Sequence, residues 1–224
     1  MRFWRQALEI ARVDLAVERR AGSTLRITIP FAVVALIVFP LALDFQLGVV
    51  SAIGTGVFWS LGILFGMQVA LRKSASDGRE RRDLHALLGV DPAARFVGRA
   101  ISGGVLMVCF LLVLLAAMTV LFDPVLPNGV WPVLLLSTIL VAIGLTELGT
   151  LAGEVTTGLA NRTVLASLII APLALPLIIG GSQSVAALER DTSILPWILL
   201  LLASDLALAV AGVGLARPLE EATR

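Results

Sequence analysis

Two carboxylates interrupt apolar stretches of this sequence. Glu147 lies inside VLLLSTILVAIGLTELGTLAG and Asp205 inside ILLLLASDLALAVAG. An acid at the centre of a bilayer costs about 2.5–3.5 kcal/mol on insertion scales, so such a residue usually has a role. Two roles stand open for each. One is a polar contact within a helix bundle or a pathway. The other is structural, with Glu147 pairing to Ser, Thr or Arg of a neighbouring helix and only holding the fold. Paired-carboxylate catalysis would need the two acids to face each other, and nothing in their spacing dictates that. His85, the single histidine, sits beside Arg82 and Asp83 in a charged stretch. It reads as an exposed or partner-contacting residue, with haem or metal ligation as the alternative. Cys109, the single cysteine, lies in an apolar run and can form no internal disulfide. One His and one Cys at different depths do not make a metal site. HExxH, GxSxG and GxxxxGK[ST] are all absent, so ATP hydrolysis is not expected of this chain.

The elements that position these residues are mostly apolar. The chain of 224 residues is 58% hydrophobic and 15% charged, with a mean hydropathy of +0.98. Soluble domains carry roughly 25% charged residues, so this composition implies an integral membrane protein. Residues 1–22 predict an amphipathic helix, with Trp4, Leu8, Ala11 and Leu15 on one face and Arg2, Arg5, Gln6, Glu9 and Arg12 on the other. Asp14 and Glu18 intrude on the apolar side. Such a helix would lie along the membrane surface, and a solvated tail is the alternative.

Six spans follow, at Ile27–Leu43, Val49–Leu71, Ala100–Phe122, Val130–Gly153, Thr163–Gly181 and Ser193–Ala216. Gly62-x-x-x-Gly66 offers the second span a bare face for close packing. Pro172 and Pro176 predict a kink or break in the fifth. Residues 182–191 read as a loop, with a re-entrant piece as the alternative.

The longest charged interruption is RKSASDGRERRDLHALLGVDPAARFVGR, residues 72–99. A charged stretch of this kind cannot face lipid, so it is expected to face water or a partner protein. Asp77 and Glu80 have capping-box spacing, Leu84, Leu87 and Leu88 form an apolar stripe, and Gly89 supplies a stop. Asp91-Pro92 then predicts a second cap and a new helix running into the third span. A short striped helix between two spans is a docking element, or else a solvated loop that fixes topology. Lys and Arg number six before the first span, seven between the second and third, one in the 154–162 turn and two after the sixth. The opposite loops hold only Arg190. Sixteen against one puts both termini and the charged stretch in the cytoplasm. The basic cluster is accounted for by topology and lacks interleaved aromatics, so nucleic acid is not an expected partner.

Taken in order, ERRAGS, VFPLAL, FWS, RERRDLHALLGVDPAARFVGRAI and NRTVLASLIIAPLALPLIIGG resemble the CcmB family, the membrane subunit of the ABC-type complex for cytochrome c maturation. The resemblance covers nearly the whole chain. It departs at His85, where the family typically has Glu, and at Arg99, where it has Lys.

The resemblance implies an all-α permease of the ABC-2 type, with six transmembrane helices, an N-terminal interfacial helix and a cytoplasmic coupling helix at residues 76–90. Arg79, Arg81, Arg82, Leu84, His85, Leu87 and Leu88 would contact an ATP-binding cassette subunit. A second copy of the chain and a haem-handling membrane subunit complete the implied partners, in a bacterial inner membrane. The chain itself would bind no cofactor. ATP would sit in the partner, and haem would be handled by the complex. Two other readings fit the spans: an ABC-2 permease exporting a lipid, glycan or drug, and an intramembrane enzyme or scaffold without an ATPase.

Overall fold

The computed structural model describes residues 2–44, 46–75, 87, 89–124, 126–127, 129–156 and 162–222. Among these are eight helices and no strand: α1 (Arg2–Ala21), α2 (Ser23–Ala42), α3 (Leu47–Ala75), α4 (Pro92–Phe122), α5 (Val130–Val155), α6 (Arg162–Leu173), α7 (Leu175–Glu189) and α8 (Leu195–Ala222). Five of them, α2, α3, α4, α5 and α8, are long and apolar enough to cross a membrane. The bent pair α6–α7 is apolar enough for a sixth element in the membrane, as a broken span or a re-entrant loop. The two helices meet at Ala174 with a bend of 40°. Pro172 and Pro176 flank that break as expected, because a proline inside a helix removes an amide donor and clashes one turn back. The expected loop at 182–191 is corrected. Residues 182–189 continue α7, since Val185 and Ala187 bury against the bundle and carry the helix past the Gly180-Gly181 pair.

The bundle is organised on α5. Its membrane-length segment is 67% buried, more than any other span. Leu134, Leu145 and Leu148 of α5 meet Met107, Phe110, Leu111 and Leu114 of α4 and Phe58 of α3 in one core. Small residues set the helix separations. A Cβ added at Gly62 or Gly66 would come within 3.0–3.1 Å of Leu111 or Leu145, so the bare face of α3 is a packing face. At Gly149 an added Cβ would lie 2.5 Å from the Cβ of Ala70, which marks the tightest crossing of α5 with α3.

Helix α1 packs along α4. Ala7, Ala11 and Asp14 are its buried positions, packed on α4, while Trp4 and Leu8 are exposed. The approach is close, because a Cβ at Gly98 of α4 would sit 2.6 Å from the Ala7 carbonyl oxygen. Asp14 therefore belongs to the docking face, and its intrusion on the apolar pattern is explained. Gly22 turns the chain from α1 into α2 with φ +57°, a conformation glycine adopts without penalty.

Candidate functional site: the α4 entrance and an acid-lined groove

The chain enters α4 through a built cap. Asp91 accepts a hydrogen bond from the Ala93 amide at 3.1 Å, and Pro92 fills the first turn, as the sequence predicts. Gly89 precedes it at φ +67°. The Arg217 guanidinium near the end of α8 donates to Asp91 at 3.0 Å and holds that carboxyl below its ordinary range.

One and two turns into α4, the charged stretch departs from expectation. Arg95 and Arg99 do not face water. They are 4% and 5% exposed and both reach Glu154 in the last turn of α5, at 3.4 and 3.2 Å. The i, i+4 spacing of the two arginines puts them on one helix face, so a single carboxylate can bridge them. One turn further, Ser102 donates to Asp14 of α1 at 3.3 Å. Behind these polar groups Ala93 and Phe96 of α4, Leu151 of α5 and Ala216 of α8 form a small apolar cluster. The Phe96 ring occupies the bare face of α8 at Gly212. Four helices are thus fastened together where α4 begins. The sequence reading missed Arg95, Arg99, Glu154 and Asp14 as a unit. The available signals were the i, i+4 arginines and the misplaced Asp14.

Most of the segment expected to dock a partner lies outside the described residues, including Arg79, Arg81, Arg82, Leu84, His85 and Leu88. Leu87 is described and is 88% exposed.

The two intramembrane acids come together. A Cβ at Gly144 would lie 2.5 Å from Asp205 Oδ1, so Asp205 of α8 rests on the face of α5 that carries Glu147 one turn later. Glu147 Oε2 and both Asp205 oxygens are buried and make no hydrogen bond among the described residues. Glu147 also lines an open-sided groove of about 760 Å³. Phe3 and Trp4 of α1 and Phe96 of α4 stand at one end, and Cys109 of α4 and Ile143 of α5 at the other. Ala209 and Val213 of α8 form its second side. No group of three or more metal-ligating side chains occurs among the described residues.

Compared with known protein families, residues 5–220 match the family described as CcmB protein. The chain belongs to the CcmB family. None of the curated proteins compared with it matches. As a CcmB protein with five helices long and apolar enough to cross a membrane, it is a multi-pass membrane component of an ABC system for cytochrome c maturation and haem transport. A CcmB subunit is a permease component of such a system.

Proposed function

We propose that this chain is the permease half of a cytochrome c maturation complex, coupling ATP hydrolysis by a partner subunit to haem delivery or to release of a haem-loaded chaperone. The ATP-binding subunit docks in the cytoplasm on the segment between α3 and α4, through Arg79, Arg81, Arg82, Leu84, His85, Leu87 and Leu88. The asymmetry of sixteen basic residues against one supports the cytoplasmic side. Trp4 and Leu8 of α1 rest on the bilayer surface there, and both termini share that side. The full assembly holds two copies of this chain and a haem-handling membrane subunit.

The observation that carries the coupling reading is the fastening at the α4 entrance. The docking segment leads directly into a helix start tied to α8 through Asp91–Arg217, to α5 through Arg95, Arg99 and Glu154, and to α1 through Ser102–Asp14. A displacement applied at the segment is carried chiefly into α5, because the buried pairs of Arg95 and Arg99 with Glu154 break only at high cost. Rigid-body movement of packed helices is a common way for a nucleotide-driven change to reach a distant face.

The test is co-purification with the ATP-binding subunit, comparing wild type with the double variant Leu84→Asp, Leu87→Asp. Wild type retains the ATPase, and the inserted, folded variant loses it. A wild-type chain that holds no ATPase in any mild detergent overturns the proposal.

A further inference from the structure

Neither the groove nor the pair of acids has a part in the coupling account. Three observations meet there. The groove is of drug-like size, about 760 Å³, within the roughly 300–1,000 Å³ typical of small-molecule sites. It runs along α4 from Phe96 to Cys109, roughly 20 Å at about 1.5 Å per residue. Its wall is apolar with one acid, Glu147, and no described basic side chain lines it.

The second observation is Asp205, which is only 8% exposed. It lies one turn before Ala209 on the α8 stripe Asp205–Ala209–Val213, whose last two members line the groove. Both its carboxylate oxygens are buried without a hydrogen-bond partner among the described residues, as is Glu147 Oε2. The third is the aromatic end, where Trp4, 61% exposed beside Phe3, presents a ring that attracts cations.

Each observation narrows the occupant. Apolar walls that open sideways select a bulky apolar body arriving from the bilayer. Half-buried Glu147, whose Oε2 has no hydrogen-bond partner among the described residues, and buried Asp205 behind it select a positive charge. An acyl chain would leave the acids unanswered, and an organic anion would be repelled by them. We infer that this groove binds a lipophilic organic cation, with its apolar body along α4 and its charge at Glu147, backed by Asp205. The site is independent of ATPase docking, so the two readings stand or fall separately.

The experiment uses the full chain, purified in mild detergent, and equilibrium binding of tetraphenylphosphonium. Tetraphenylborate, of the same shape and opposite charge, is the comparison. Wild type binds the phosphonium at least tenfold more tightly than the borate. Glu147→Gln lowers phosphonium affinity at least tenfold, and Glu147→Asp restores most of it. Cys109, which is exposed and lines the groove, gives a second readout on wild type alone: bound phosphonium slows its alkylation by a maleimide. Equal binding of the two ions, unchanged affinity in Glu147→Gln, or Cys109 alkylation indifferent to saturating phosphonium overturns the inference. An acyl-chain groove would give the first of these results.

Discussion

Arg99 Nη1 lies 3.2 Å from Glu154 Oε1, and both side chains are 6% exposed. The pair joins the second turn of α4 to the last turn of α5, and Arg95 reaches the same carboxylate from one turn earlier. Removing the acid leaves two buried guanidiniums without it. Breaking a buried ion pair from one side costs about 3–5 kcal/mol. Glu154→Ala should therefore lower the thermal unfolding midpoint of the purified chain sharply, by the equivalent of about 3 kcal/mol. Asp91→Asn at the half-exposed Asp91–Arg217 contact should cost no more than about 1 kcal/mol.

The crossing of α3 and α5 makes a contrast between two glycines. At Gly149 a methyl would meet the Cβ of Ala70 at 2.5 Å and its backbone at 3.2 Å, whereas nothing lies within 4 Å of a Cβ at Gly56. Gly149→Ala should destabilise by about 1–3 kcal/mol through overpacking. Gly56→Ala should be neutral or stabilising by up to about 1 kcal/mol, from helix propensity alone. Paired unfolding curves in one detergent check the difference in sign.

Much of this was legible locally. Asp91-Pro92 announces a helix start because capping needs only a side-chain acceptor and an unneeded amide. Pro172 and Pro176 announce the break because the loss of backbone donors is a property of the residues themselves. Gly62-x-x-x-Gly66 marks a packing face for the same reason. What was not legible depends on partners far away in sequence. Glu154 reads as the start of a polar turn until α4 places two arginines against it, and Asp14 reads as a flaw in an amphipathic pattern until α1 is laid on α4. Asp205 reaches the face of α5 that carries Glu147 because Gly144 leaves room between two helices. The end of α7 reads as loop because Gly180, Gly181 and Ser182 are poor helix formers, and burial of Val185 and Ala187 outweighs that preference.

The α1 docking face predicts a change in protease sensitivity. Gly98→Leu places a bulky side chain where the Ala7 carbonyl and Ile10 stand within 3 Å of a bare Cβ. Helix α1 should come away from α4, and trypsin should cut at the exposed Arg19 and Arg20 at least several-fold faster than in wild type. Unchanged cleavage would mean that α1 holds without this contact.

The Asp91–Arg217 contact predicts a small acid-sensitive contribution. The folded carboxyl is held below its ordinary value, chiefly by the hydrogen bond from Arg217. Its stabilisation is thus complete above the unfolded carboxylate pKa of about 3.9, and is lost as pH falls below that toward the lowered folded value. The difference in unfolding midpoint between wild type and Asp91→Asn should be constant from neutral pH down to about 5 and shrink below about 4.

The central claim is that this chain serves cytochrome c maturation as a permease driven from the α3–α4 segment. The most direct measurement is covalent haem attached to c-type cytochromes in the native host after deletion of the gene, with wild type or Leu84→Asp, Leu87→Asp returned on a plasmid. The account predicts loss of haem-stained cytochrome c on deletion, recovery with wild type, and no recovery with the double variant at equal membrane levels. Cytochrome c that matures normally without the gene would contradict it.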